Sequence, residues 1–339
     1  MRTNTQGRLA SLGLGLMIGL LGALLGLLPV TAAWEEGAGL GLLFNWRGQR
    51  PAPPEVAIVS INGETAAQLG LGEEIPEWPR GLHAELIERL QSAGAAAIAI
   101  DIFFKKPRDR DQDQKLADAI ARAGNVLLVS YLNQHRHKAG EQTILVERLT
   151  PPTPPIAESA AHTGPFVLPK VPVRVSRFWT FNGDNALPSL PVLTLLQLVD
   201  PDGSRLGQLP HLQRLSEDKS LRDDLTASLQ KGEQSELQRR SWQALLSLVG
   251  SDTYPYLNFF GPPASIQTLP YQTLLNGDEQ LIQSLRGKVI FIGYAGDYQP
   301  KQKDGFYTVF SQDNGLDLSG VEIAATAFAN LLHQETCLL

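Results

Sequence analysis

Val56-Ala57-Ile58-Val59-Ser60-Ile61, residues 56–61, is a short run of apolar, mostly β-branched residues in which polar and apolar positions do not alternate. Such a run is typical of a strand that is buried on both faces of a parallel sheet. Three further runs share this composition: residues 97–100, 125–129 and 288–292. The four runs therefore predict a sheet that is covered by helices on both faces.

Helical periodicity fills the gaps between the first three runs. Residues 82–93 carry apolar side chains at helical spacing and are followed by Gly94, and residues 116–123 repeat the pattern before Gly124. A glycine directly after the last periodic residue is a common helix end. The order strand, helix, strand, helix, strand predicts right-handed crossovers and an α/β fold whose sheet is largely parallel and flanked by helices.

The middle and the end of the chain differ from this pattern. Prolines are dense between residues 150 and 191, which predicts a Pro-rich region of extended strands and loops at the edge of the sheet. Residues 200–245 are rich in charged and polar side chains and are predicted to form an exposed helical insertion. Residues 321–332 place apolar side chains on one face, which predicts a final helix that packs back on the sheet.

The N-terminus predicts a transmembrane helix. No charged residue lies between Arg8 and Glu35, and the apolar stretch 9–29 would span roughly 30 Å as a helix. Basic residues precede it and acidic residues follow it, so the N-terminus is expected in the cytoplasm and the rest outside. A cleaved signal peptide is the alternative, because Thr31-Ala32-Ala33 offers small residues at a cleavage position. The length of the stretch favours a retained anchor in the inner or plasma membrane.

Four segments follow from these features. Residues 1–34 are predicted as a cytoplasmic N-terminus with a transmembrane helix and residues 35–54 as a membrane-proximal linker. Residues 55–334 are predicted as the extracellular or periplasmic domain, and residues 335–339 as the start of an extension toward the membrane. The small-residue spacing of Gly15 and Gly19 would let two such helices approach closely, so a homodimer is expected.

Composition and motifs exclude several classes of function. The net charge is −6 and the isoelectric point is near 5.6, so no broad basic surface is available for nucleic acid. The single cysteine, Cys337, excludes an internal disulfide framework and thiolate-built metal sites. No phosphate loop, dinucleotide fingerprint, metalloprotease motif or nucleophile elbow is present, so no cofactor, no metal and no catalytic residue are predicted.

Six residues are candidates for ligand contact, because ligands of open α/β sheets bind at the carboxyl ends of the strands. They are Trp78, Arg80, Asp101, Gly293, Gly296 and Asp304. Five of them also have a structural alternative: Asp101 could bond backbone amides, Gly293 and Gly296 could form a tight turn, Trp78 could be an anchor, and Asp304 could be solvated charge.

Five blocks of the chain are similar to the CHASE domain of the second type, with the same order and spacing. They are Val56–Ile61, Trp78-Pro79-Arg80 with His83–Leu86, Ala97–Phe104, Gly287–Gly293 and Ser319–Ile323. The resemblance covers about residues 39–332. It departs from the family at Ala324-Ala325, where many relatives carry a histidine, so no role of that histidine is carried over.

The resemblance implies an extracellular sensory domain of a membrane-bound nucleotide cyclase, histidine kinase or Ser/Thr kinase, with the output domain beyond further membrane helices. The sequence of the final helix is most similar to those of relatives that are attached to adenylate cyclases. The stimulus is expected to be a small molecule or a periplasmic protein. A different class of function stays open, in which the chain is an exported, membrane-anchored adaptor that binds protein through its loop-rich middle.

Overall fold

The computed structural model describes the greater part of the chain. The described residues are 13–20, 22, 39–72, 74–139, 142–168, 174–182, 187–201, 219–220, 222–223, 226–227, 235–248, 251, 253–296, 305–311 and 317–335. For residues 134–139 and 142–146 the description is limited to the backbone. The chain divides into two compact units, residues 1–48 and residues 49–339.

The first unit contains the helical residues 13–20 and helix α1, Leu40–Arg47. Among the described residues, no helix is both long enough and apolar enough to cross a membrane. The predicted span, residues 9–29, lies mostly outside the described residues, since only 13–20 and 22 of it are described.

Within the described ranges, the second unit contains eleven strands, nine α-helices with defined bounds and the 3-10 helix Ile75–Glu77. Residues 219–220, 222–223 and 226–227 are also helical. The strands are β1 Val56–Ile61, β2 Ala97–Asp101, β3 Val126–Ala139, β4 Gln142–Thr150, β5 His162–Pro165, β6 Phe181–Asn182, β7 Leu187–Pro188, β8 Thr268–Pro270, β9 Val289–Tyr294, β10 Gly305–Phe306 and β11 Leu318–Ser319. The helices are α2 Gly63–Leu69, α3 Arg80–Ala93, α4 Arg110–Ala123, α5 Pro154–Ser159, α6 Leu190–Val199, α7 Glu236–Ser247, α8 Tyr271–Leu275, α9 Glu279–Gln283 and α10 Gly320–Leu332.

The central sheet has seven strands in the order β4-β3-β2-β9-β1-β8, with β5 pairing with β3 beside β4. All pairs are parallel except β3 with β4. The four strands predicted from the apolar runs are confirmed as β1, β2, β3 and β9. Strand β3 continues beyond the predicted end and forms an antiparallel ribbon with β4.

Helices cover both faces of the sheet, as its apolar strands require. On one face α3 packs against α4, α8 and α9, over the alternate strand residues that include Ile98, Ile100 and Ile292. On the other face α6 lies on β2, β3 and β5, and α10 lies on β1 and β9. Helix α7 packs outside α6 and α10, so these two helices lie in the interior of the domain.

This third layer explains why α10 is more deeply buried than predicted. All residues of α10 are buried, and so are all residues of α6. The apolar stripe predicted for residues 321–332 is present, but the opposite side is also covered because α7 shields it from water. A helix that is apolar around its circumference is stable only in such an interior position.

The expectation of purely extended structure in the Pro-rich region is wrong at two helices. Prolines occupy the first turns of α5 and α6, where the missing N–H has no intrahelical partner in any case. The Pro-rich region nevertheless contributes to the edge of the sheet, because its strand β5 lies at the border of the parallel strands. Within the predicted insertion, α7 is amphipathic and buries Trp242 and Leu245.

The glycine that ends α3 supplies a direct test of the fold. Gly94 has a left-handed backbone with φ of 81°, and an added Cβ would meet only a flexible arginine side chain at 3.6 Å. Gly94→Ala is therefore expected to lower the free energy of unfolding by about 1 kcal/mol, through backbone strain alone.

Gly72→Ala is the matched control, because Gly72 has no atom near its ideal Cβ and no left-handed φ. The free energy of unfolding of this variant, measured by urea denaturation, is expected to stay within about 0.5 kcal/mol of that of the original protein. Equal effects of the two substitutions would contradict the left-handed helix end.

Candidate functional site

The carboxyl ends of the central strands form one edge of the sheet, to which two of the predicted residues contribute directly. Asp101 is the last residue of β2 and pairs with Gly293 of β9. Their position in the register places both on the face that carries α10, as the neighbouring contact between Phe291 and Phe328 of α10 shows, with ring centroids 5.7 Å apart. The expectation that these two residues lie together is thus met.

Gly293 is in the strand and permits the close approach of α10. A Cβ added at this position would lie 2.9 Å from the Cβ of Val321 and 3.2 Å from the Cβ of Asp101. Any larger residue would push the first turn of α10 off the sheet. Asp101 is half-buried beside this turn, where the positive end of the helix dipole stabilises a carboxylate.

The first turn of α10 is fixed by a buried capping box. The Ser319 hydroxyl donates to Glu322 Oε2 at 2.8 Å, and the Ser319 N–H donates to the same oxygen at 2.9 Å. The second carboxylate oxygen, Oε1, accepts from the backbone N–H of Ala264 at 2.7 Å. Ala264 has φ of 65°, so its backbone is strained in the loop that receives this bond. Glu322 therefore ties α10 to the loop ahead of β8.

Trp78 and Arg80 reach the same edge of the sheet on the opposite face, and both are almost fully buried. The Trp78 indole N–H donates to the Gly72 carbonyl at 2.7 Å. The Arg80 guanidinium donates to Asp113 at 3.1 Å and lies 4.4 Å above the Phe104 ring. Burial lowers the pKa of Arg80, and the Asp113 carboxylate opposes this by raising it. Arg80 therefore joins α3 to α4, and Trp78 fixes the loop that follows α2.

His83, which the sequence reasoning did not select, lies at the centre of this cluster. A hydrogen bond of 2.9 Å joins its Nδ1 to the hydroxyl of Tyr271, the first residue of α8. Burial, and to a smaller degree the charge of Arg80, lowers the pKa of His83 to about 3. Burial also raises the pKa of Tyr271. Both groups are therefore neutral at physiological pH.

Two polar atoms of this cluster have no hydrogen-bond partner within the described part of the chain: Arg80 Nη1 and His83 Nε2. The available sequence signal for this buried cluster was the spacing of Arg80 and His83, which lie three residues apart near the start of a predicted helix. Tyr271 follows 188 residues after His83, so the sequence offers no local sign of their contact.

A second buried bond links further helices on this face. The Thr65 hydroxyl donates to Gln272 at 2.7 Å, and the Thr65 N–H donates to Asn62, which caps α2. Together with the Arg80 and His83 contacts, this bond connects the starts of α2, α3, α4 and α8. The face opposite to α10 is therefore held as a rigid layer.

The remaining candidates are placed differently. Gly296 is half-buried two residues after β9, and Asp304 lies outside the described residues. No group of histidine, cysteine or acidic side chains in the described ranges could hold a metal ion. A surface groove between α3 and α9 is lined by Glu85, Glu88 and Arg89 among others, and by none of the six predicted residues.

The far end of α10 meets the entry of the second unit. Arg50 Nη1 lies 2.5 Å from Glu335 Oε2, and the Arg50 guanidinium lies 4.4 Å above the Phe260 ring. Glu55, directly before β1, lies 3.5 Å from His333 and 3.1 Å from Arg240 of α7. The first residues of the domain and the residues after α10 are thus side by side.

Residues 15–338 match the CHASE2 domain family, which covers nearly the whole chain. The chain belongs to the CHASE2 domain family. The resemblance noted from the five sequence blocks is confirmed. CHASE2 domains are extracellular sensory domains that are found in signalling receptors. No curated protein and no solved structure matches the chain.

The buried ion pair of this CHASE2 domain gives a stability test. The Arg80 and Asp113 side chains are 2% and 7% exposed, so Asp113→Ala would leave an uncompensated buried charge. It is expected to cost about 3–5 kcal/mol of unfolding free energy. The double substitution Arg80→Met with Asp113→Leu is expected to restore most of this loss.

Glu88→Ala is the matched control, since it breaks the exposed pair with Arg122 and is expected to cost less than about 1 kcal/mol. Chemical denaturation of the four proteins measures these differences. A cost of Asp113→Ala no larger than that of Glu88→Ala would show that the buried pair does not hold α3 to α4.

The depressed pKa of His83 makes the stability of the CHASE2 domain depend on pH. Between the folded pKa of about 3 and the ordinary histidine pKa of 6.5, the unfolded chain binds a proton at His83 that the folded domain does not. The free energy of unfolding therefore falls as the pH falls through this window, by up to about 1.4 kcal/mol per pH unit from this group.

His83→Gln removes the titrating group, so the variant is expected to show a smaller slope between pH 6 and pH 4 whatever its stability at pH 7. Urea denaturation at several pH values gives both slopes. Identical slopes for the two proteins would mean that His83 binds protons equally in the folded and unfolded states, and would contradict the lowered pKa.

Proposed function

We propose that this chain is the extracytoplasmic sensory domain of a membrane-bound signal-transduction receptor. Its α/β body binds a small molecule or a periplasmic protein at the carboxyl edge of the sheet, near Asp101 and Gly293. Helix α10 then passes the change to the residues that lead toward the membrane. The output is a cytoplasmic nucleotide cyclase, most closely of the adenylate type, and the sensory chain itself catalyses no reaction.

The observation that carries the proposal is the course of α10. Its first turn rests on Gly293 beside Asp101, and the chain directly after it pairs with Arg50 at the entry of the domain. At 1.5 Å per residue, the helix links points about 20 Å apart. A ligand that contacts Asp101 therefore acts on one end of a buried element whose other end adjoins the linker.

Two arrangements of such an element are sufficient for signalling. A ligand shifts the balance between them only by as much as it binds one arrangement better than the other. The contacts of Glu322 at the first turn, next to Asp101 and Gly293, are the ones that a ligand at this edge would change. The layer around His83 and Arg80 stays fixed and serves as the reference against which α10 moves.

The proposed topology has support in the first unit. Within the helical residues 13–20, five large apolar side chains are more than half exposed: Leu14, Leu16, Met17, Ile18 and Leu20. Such a surface is unfavourable in water and favourable in lipid. The apolar stretch 9–29 thus anchors the chain, and the charge bias around it directs the body outward.

The topology is tested by cysteine labelling. In a Cys337→Ser background, a cysteine is placed at the exposed Gln68 of α2. A membrane-impermeant maleimide is expected to label this site equally in intact and in lysed cells. A cysteine at Asn4, before the apolar stretch, is the control and is expected to react only after lysis. The reverse pattern would overturn the proposed orientation.

The binding site is tested by thermal shift of residues 49–339 against a small-molecule library. A compound that binds the folded body raises its melting temperature through mass action. Asp101→Asn is expected to lower the apparent affinity of true ligands, as derived from this shift, at least tenfold. Glu279→Gln, at an exposed position of α9, is expected to leave it unchanged.

Ligands whose shift is the same for both variants would place the site elsewhere.

A second candidate function, a protein-binding adaptor, is favoured by one feature, a cluster of aromatic side chains and an arginine in which Trp179 is exposed, Tyr254 and Arg177 are half-buried and Tyr256 is buried. Trp179 stacks on Tyr254 with ring centroids 4.0 Å apart, and Arg177 lies 3.7 Å above the Tyr256 ring. Tyr, Trp and Arg dominate protein-binding hot spots.

The adaptor function would be favoured if the screen finds no small-molecule ligand and if a protein partner is found whose binding is lost in Trp179→Ala.

A further inference from the structure

Helix α1 is apolar on two opposite faces, although it follows the predicted membrane span by only a short connection. On one face Leu40 and Phe44, four residues apart, are buried. On the other face Leu42, Leu43 and Trp46 are 72%, 53% and 88% exposed. Trp46 lies four residues after Leu42 and three residues after Leu43, and side chains at these spacings are neighbours on a helix, so the three form a single apolar patch.

A patch of this composition in water requires a partner. A helix that is apolar around its circumference is stable in an apolar surrounding on both sides, and exposed apolar patches on soluble proteins mark interaction sites. Here the exposed set contains a tryptophan, and Arg47 follows it at the end of the helix. Trp and Arg are enriched at the boundary between lipid and water.

We propose that α1 lies along the outer surface of the membrane, with Leu42, Leu43 and Trp46 inserted into the interface between lipid head groups and acyl chains. This inference rests on the topology given under Proposed function and adds a second membrane contact to it. The helix is about 12 Å long and is too short to span the bilayer, so it lies in the membrane plane.

The distance along the chain supports a lipid partner. Residues 30–39 connect the apolar stretch to α1 and reach at most about 35 Å when fully extended. The span thus keeps α1 close to the membrane surface at high effective concentration, so a weak interfacial contact is sufficient.

A second copy of the chain fits the patch less well. Three side chains cover on the order of 500 Å², whereas a stable protein interface buries about 800 Å² on each partner. A lipid surface imposes no such minimum, because the span already provides the anchoring. Binding of α1 to the membrane would also fix the position from which the chain continues to Arg50.

The test uses the full chain in lipid nanodiscs, in the Cys337→Ser background. Single cysteines replace Leu42, Leu43 and Trp46 in turn, and each is labelled with an environment-sensitive fluorophore. Gln68→Cys in α2 is the water-exposed control. The labels on α1 are expected to emit at shorter wavelength than the control. Lipids that carry a nitroxide near the head group are expected to quench them at least threefold more strongly.

Two results would overturn the proposal. Emission and quenching equal to those of Gln68→Cys would show that the patch faces water. A blue-shifted emission without quenching by lipid nitroxide would show that protein, such as a second copy, covers it. Either result leaves the maleimide labelling of intact cells unchanged, so failure of this inference is separable from failure of the proposed topology.

Discussion

The burial of α10 between the sheet and the outer helices is the constraint on which the rest of the domain depends. Thirteen residues at 1.5 Å each make the helix about 20 Å long, which is also the length of the six-residue strand β9 beneath it. The helix therefore runs from one edge of the sheet to the other. Because α10 is closely packed on all sides, displacement of one end is expected to move the whole helix.

Polar contacts of α10 are concentrated where they fix its position. Near the start, Glu322 bonds Ser319 and the Ala264 N–H. Near the end, the fully buried Asn330 side chain accepts from the Asn258 N–H at 2.8 Å and donates to the Asn258 carbonyl at 3.0 Å. Buried polar groups are costly when unpaired, so these bonds specify one position of the helix. In the proposed mechanism, a signal exchanges this set of bonds for another.

The two faces of the sheet thereby differ in what they contribute. One face is held by buried bonds between helices that start at the carboxyl edge, with Arg80 and His83 at their centre. The other face depends on the contact of Val321 with Gly293 and on the capping of α10. In the proposed mechanism the first face is the fixed scaffold, and α10 on the second face is the element that moves.

Much of this organisation was predictable from the sequence, because buried parallel strands and glycine-terminated helices leave strong local patterns. The nearness of Asp101 and Gly293 followed from the rule that parallel strands end at one edge. The sequence did not show on which face Trp78 and Arg80 lie, since this depends on packing, nor the bond of His83 to Tyr271 in a distant helix. The helical turns at Pro154 and Pro191 were missed because proline is read as a helix breaker although it is accepted in a first turn.

Hydrogen exchange of the body, residues 49–339, with and without Glu322→Ala tests the coupling through α10 most directly. Loss of the carboxylate frees the first turn of the helix at the carboxyl edge. Coupling through α10 predicts faster exchange at the opposite edge, in residues 50–55 and 333–335, with unchanged exchange in β2. Exchange at that edge equal to that of the original protein, or a uniform increase throughout the domain, would contradict it.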